Sequence, residues 1–105
     1  MARIRLGAVD EIPEGGMIMR GHEGAQILLA RVDGRIYAMN DICTHEGAPL
    51  HEGSLGGEGK CLLTCPWHAA HFDIRTGTVL QDTPWATDTE TYPVEISGAD
   101  VYVEL

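Results

Sequence analysis

An all-β fold is predicted by three observations. Apolar and polar residues alternate over short runs. Asp33-Gly34 stands between two such runs as a two-residue hairpin turn. No stretch keeps a helical apolar period for more than two turns. Arg3-Ile4-Arg5-Leu6 alternates as a first strand, and Ile12-Pro13-Glu14-Gly15-Gly16 turns the chain. Met17-Ile18-Met19 and Ala25–Val32 read as strands with His22-Glu23-Gly24 turning between them, and Asp33-Gly34 leads into Arg35–Met39. Residues 40 to 58 lose periodicity and gather Gly, Pro, Asn, Asp and His, so they read as a loop. Cys61–Thr64 is a brief strand, Pro66 to Ala70 a second loop, and Phe72–Ile74 with Thr78–Leu80 a hairpin around Arg75-Thr76-Gly77. After a polar loop from Gln81 to Thr91, Tyr92–Ile96 and Val101–Leu105 close the chain as strands around Ser97–Asp100.

With 105 residues, the chain has room for one domain, spanning 1–105, and its apolar core is close to the minimum that folds alone. Sixteen acidic residues against seven basic ones give a net charge of −9. That argues against nucleic acid or an anionic membrane as partner and in favour of a basic protein surface. The longest apolar stretches are far too short to span a bilayer, and no apolar block follows Met1–Arg5 as a secretory signal requires. A cytoplasmic monomer is expected.

Three cysteines, Cys43, Cys61 and Cys65, cannot form a complete disulfide framework. Two of them carry a histidine at close spacing: Cys43-Thr44-His45 and Cys65-Pro66-Trp67-His68, with nineteen residues between. Cys61 has no such neighbour. Alternation places it on one strand face with Leu63 and Cys65, as a small buried apolar residue. Two thiolates and two imidazoles converging from two loops make a four-ligand metal site, which also adds the stability a small core lacks. Zinc and a binuclear iron–sulfur cluster are both candidates. Structural zinc sites usually take paired ligands of one kind from each loop. Here each loop offers one Cys and one His, which suits two different irons, with both thiolates on one and both imidazoles on the other.

Those two motifs, followed by Phe72-Asp73 and Thr76-Gly77, resemble the cluster loops of Rieske-type ferredoxins, and the flanking strand pattern extends the resemblance over nearly the whole chain. It implies an antiparallel β-sandwich or barrel bearing a small cluster-binding subdomain of two loops, about residues 41–85. It implies one [2Fe-2S] cluster per chain, with Cys43 and Cys65 on the buried iron and His45 and His68 on the outer one through Nδ1. Two ferric ions, two sulfides, two thiolates and two neutral imidazoles sum to zero charge. An all-thiolate cluster is more negative, so the mixed ligand set raises the potential.

The sequence departs from the high-potential members it resembles. Their loop disulfide would need cysteines where Ala48 and Trp67 stand, and their serine and tyrosine donors to sulfur are replaced by Ala70 and Phe72. Ala69 stands where a glycine is usual. Without those donors the reduced cluster is less stabilised, and a potential of roughly −150 to 0 mV is expected within a family range of about −150 to +300 mV. Trp67 and Trp85 are expected to cover the sulfides, and Pro84 resembles the proline of the family's covering loop. His71 is expected to point away from the cluster, and His22 and Asp73 to serve in turns. Leu55–Gly59 is expected to be a hairpin end. His51 invites a surface role at a partner contact, which its position does not demand.

The resemblance implies a soluble one-electron carrier, not an enzyme, between a flavoprotein reductase and a terminal oxygenase or other redox enzyme. Two alternatives are a fixed small subunit of a larger oxidoreductase, nitrite-reductase-like or arsenite-oxidase-like, and a zinc-stabilised binding module without redox activity. No G-x-G-x-x-G is present to hold a reductase's nucleotide.

Overall fold

Three antiparallel sheets are layered in the computed structural model, which describes residues 3–42, 49–57, 59, 61–66, 70–79 and 88–105. The strands are β1 (Arg3–Ala8), β2 (Met17–His22), β3 (Ala25–Val32), β4 (Arg35–Asn40), β5 (Ser54–Gly56), β6 (Leu62–Thr64), β7 (His71–Asp73), β8 (Thr91–Tyr92), β9 (Val94–Ser97) and β10 (Asp100–Glu104). The lower sheet runs β1-β10-β9, the central sheet β2-β3-β4-β8, and the small upper sheet β5-β6-β7. The all-β expectation holds.

The central sheet owes its position to β3, where Ile27, Leu28, Leu29 and Ala30 are all buried. Successive strand residues point to opposite faces. Ile27 and Leu29, with Ile36 and Ala38 of β4, therefore pack on Leu6, Val101 and Val103 of the lower sheet. Leu28, Ala30 and Val32, with Met39, pack on Leu63 and Phe72 of the upper sheet. An uninterrupted apolar run marks a strand covered on both sides. Each fully buried leucine contributes about 1.5–3 kcal/mol through removal from water.

Two tight turns hold β3. Asp33 and Gly34 both have positive φ, 53° and 77°, and join Val32 to its direct partner Arg35. This is the mirror-image turn that the Asp-Gly pair predicts. Glu23 and Gly24 repeat it at the other end, between His22 and Ala25.

The sequence underestimates the segment 40–58. It contains a 3₁₀ turn, Leu50–Glu52, and strand β5, which pairs with β6 from Ser54↔Thr64 to Gly56↔Leu62. That pairing makes the expected hairpin of Leu55–Gly59. A second 3₁₀ turn, Val9–Glu11, also falls outside the predicted elements. The strand expected over 78–80 is reduced among the described residues to one bridge, Phe72↔Val79, with Leu80 lying outside them. Tyr92–Ile96 is divided between two sheets, since Thr91–Tyr92 pairs with β4 and Val94–Ser97 with β10. Among the described residues, no helix is long and apolar enough to cross a membrane.

Candidate metal centre

The upper sheet and the end of β4 each open into one of the two loops that carry the predicted ligands. Of those ligands Cys65 is described; Cys43, His45 and His68 lie outside the described residues, as do Ala48, Trp67, Ala69, Pro84 and Trp85. The stems of both loops are described.

The first stem begins where β4 ends. Ile42 forms an antiparallel bridge with Pro49, the N–H of Leu50 donates to the Asp41 carbonyl at 2.6 Å, and the N–H of Asp41 donates to the Gln26 carbonyl at 2.9 Å. The Asp41 side chain is completely buried. Its Oδ1 accepts the N–H of His51 at 2.7 Å, and its Oδ2 lies 2.7 Å from Nδ1 of the same residue. Burial pushes the Asp41 carboxyl above its ordinary pKa, while the bonds from His51 pull it the other way. His51 thus has an internal partner, a role not foreseen for it.

The second stem is a hairpin. Beyond Thr64↔His71, the N–H of Cys65 donates to the Ala70 carbonyl at 2.8 Å, so the ladder continues to the residue that opens the loop. Cys65 is only 2% exposed and shares an apolar cluster with Leu50, Leu63, Ala70 and Phe72. The two stems also touch. A Cβ on Gly53 would stand 2.0 Å from the Thr64 carbonyl oxygen, so only glycine lets the first loop's exit cross the end of β6.

Among the described residues no three His, Cys, Asp or Glu side chains come together to hold an ion. The chemistry of the floor nonetheless fits the implied cofactor. A thiol lies buried among side chains without a polar atom, Leu50, Leu63, Ala70 and Phe72, all fully buried. Such a surface tolerates a group of zero net charge far better than a doubly negative one. Neither Ala70 nor Phe72 brings a hydroxyl to that floor.

Cys61 is 8% exposed and packs in the same cluster, as alternation predicts. His71 lies on β7 on the face opposite the buried Phe72. His22, expected in the turn, instead ends strand β2 opposite Ala25, with Nε2 3.7 Å from a Glu23 carboxylate oxygen. Asp73 does serve its turn. Its carbonyl accepts the N–H of Gly77, and its carboxylate takes Nε and a terminal nitrogen of Arg75 at 3.0 and 2.8 Å. That fork holds the Asp73 carboxyl below its ordinary pKa and the Arg75 guanidinium above its own. The residues missed by sequence reasoning are Asp41 and Gly53. The only prior signal for either was position, since Asp41 stands two residues before Cys43.

Comparison with known proteins adds a third line. Residues 2–93 match the Rieske [2Fe-2S] domain. The chain is 37% identical over 102 residues to the ferredoxin component of the naphthalene 1,2-dioxygenase/salicylate 5-hydroxylase systems of a Ralstonia species, covering 97% of this chain and 94% of that one. It superposes on the ferredoxin of carbazole 1,9a-dioxygenase from Nocardioides aromaticivorans IC177 with a TM-score of 0.88 at 25% identity, covering 98% and 97% of the two chains. A similar match, TM-score 0.85 at 29% identity, covers 96% of this chain and 91% of a chain in the complex of reduced oxygenase and oxidized ferredoxin in carbazole 1,9a-dioxygenase.

Proposed function

The chain belongs to the Rieske [2Fe-2S] domain family, and on that premise we propose that it passes single electrons from a flavoprotein reductase to a terminal oxygenase, with Cys43, His45, Cys65 and His68 holding the cluster. Its cofactor is a Rieske-type [2Fe-2S] cluster, and it is an electron carrier rather than a catalytic enzyme. Family membership decides between zinc and binuclear iron in favour of iron.

The bound cluster supplies a one-electron couple between its ferric and mixed-valence states. The chain's own residues govern access to it. Cys65 would hold the cluster from an apolar floor that excludes water, fixed by the Cys65–Ala70 hydrogen bond. By the resemblance of the two motifs, His45 and His68 would hold one iron and the two cysteines the other, and an imidazole ligand that reaches the surface would supply the electron's exit. The observation that carries this reading is the meeting of the two stems: Leu50 and Cys65 share one buried cluster, and Gly53 lies against Thr64. Relatives named as ferredoxin components, one of them seen in complex with its oxygenase, support the acceptor. The donor follows from the chemistry of a carrier, which needs a reductase to reload it. The protein acts as a cytoplasmic monomer.

Electron paramagnetic resonance of the dithionite-reduced protein, with iron and acid-labile sulfide analysis, tests the ligand set. A mixed Cys/His signature that disappears in Cys65→Ser and changes in His45→Cys is expected. Zinc without labile sulfide overturns the reading. Transfer is tested by supplying electrons to an aromatic-ring dioxygenase from its NADH-dependent reductase, with and without this chain.

A further inference from the structure

We propose that Asp41 and His51 are a positioning pair that clamps the mouth of the first ligand loop and thereby fixes where Cys43 and His45 stand relative to Cys65. This rests on the ligand assignment above. A carboxylate removed completely from water is costly unless each oxygen finds a donor. Among the described residues Asp41 finds both donors on His51, taking its backbone N–H on Oδ1 and its imidazole Nδ1 on Oδ2, both at 2.7 Å. Two contacts to a single residue restrain its rotation as well as its distance. A main-chain bond from Leu50 to the Asp41 carbonyl and the Ile42↔Pro49 bridge would already close the stem. The carboxylate therefore adds orientation rather than mere closure.

What it orients lies on the path between the loops. Asp41 precedes Cys43 by two residues. His51 sits on the 3₁₀ turn whose first residue, Leu50, is buried in the same apolar cluster as Cys65, and whose exit, Gly53, lies against Thr64. A shift of the Asp41–His51 pair moves one stem against the other, and with it one ligand pair against the other. Partners of this outer kind commonly matter 10–100-fold for metal retention.

The test compares Asp41→Asn, Asp41→Leu and His51→Ala in the cluster-loaded protein. Asparagine keeps an acceptor for the His51 N–H and offers a donor to Nδ1 of the other tautomer; leucine keeps the volume and removes both. Asp41→Leu is expected to shift the g-values and midpoint of the reduced cluster and to speed cluster loss about tenfold or more. His51→Ala, which retains the backbone bond, is expected to give a smaller change in the same direction, and Asp41→Asn to restore wild-type values. If Asp41→Leu does not fold, His51→Ala decides alone. Unchanged g-values, midpoint and cluster retention, with only the melting temperature lowered, overturn the proposal. So does Asp41→Asn behaving like Asp41→Leu, because that assigns the effect to charge. A wild-type protein without the Rieske signature refutes the ligand assignment instead, before any variant is made.

Discussion

The two ends of the molecule are built to different standards. The lower and central sheets have strands of up to eight residues and a core of aliphatic side chains from both. Their surface is laced by Arg3–Glu95, Arg5–Asp100, Arg20–Glu11 and Arg31–Glu14 pairs. The upper sheet has three strands of three residues. Among the described residues its stems are tied by the buried Asp41 carboxylate, main-chain bonds and the apolar cluster that holds Leu50 and Cys65. Long ladders and a two-sided core stand without help, whereas a sheet this short is marginal unless something else binds its loops together. On the proposed ligand set the cofactor would be part of the upper end's architecture, with the lower end as its scaffold.

Removing the cluster should break the comparison open most widely. Amide exchange after chelation is expected to show Leu62–Thr64 and His71–Asp73 losing protection while Ile27–Val32 and Val101–Val103 keep theirs. Uniform loss across both ends would mean that the scaffold is not independent. Next in size are truncations of two fully buried leucines. Leu29→Ala, in the lower core, should cost about 2–5 kcal/mol of global stability in a denaturant melt. Leu63→Ala, in the apolar cluster that holds Cys65, should shorten cofactor retention as well, a difference readable from visible absorbance against time.

A subtler change tests the polarity of the upper floor. Ala70→Ser puts a hydroxyl beside Cys65. A donor whose bond strengthens on reduction by about 1 kcal/mol raises a one-electron midpoint by roughly 40 mV. Voltammetry giving an unchanged or lower value would disconnect Ala70 from the cluster. The smallest effect belongs to the lower end. Glu14 accepts the N–H groups of Gly34 and Asp33 at 2.9 and 2.8 Å, and these bonds hold its carboxyl below its ordinary pKa. A depressed carboxylate pKa stabilises the fold above the unfolded-state value, and the benefit is lost as pH falls through the folded one. The melting temperature of Glu14→Gln should thus fall slightly below wild type at neutral pH, and the gap should narrow as pH falls below the ordinary glutamate pKa and close below the depressed folded one.

The same division explains what could be read from the chain in advance. Asp33-Gly34 and the run Ile27–Ala30 announce themselves because turn chemistry and apolar continuity are local properties. Ser54–Gly56 and Thr91–Tyr92 do not, because each becomes a strand only through a partner that the fold brings to it, such as Ala38 for Tyr92. At the site, the proposed ligand motifs are the most legible feature, since metal chemistry would fix residue type and spacing. Asp41 and His51 are invisible as a pair because ten positions separate them and a 3₁₀ turn, not a motif, makes them neighbours. Gly53 was hidden for a related reason: what forbids a side chain there is the carbonyl of Thr64, on another strand.

Strand β3 carries a consequence for how the chain reaches its fold. In most sheets a slip of one residue is punished at once, because it turns greasy side chains out to water. Here Ile27 and Leu29 face one core and Leu28 and Ala30 the other, so a slipped strand would still present hydrocarbon to both layers. Hydrophobicity alone cannot proofread this alignment. That task falls to the two mirror-image turns at Glu23-Gly24 and Asp33-Gly34, which pin the strand at both ends like stops on a sliding rule.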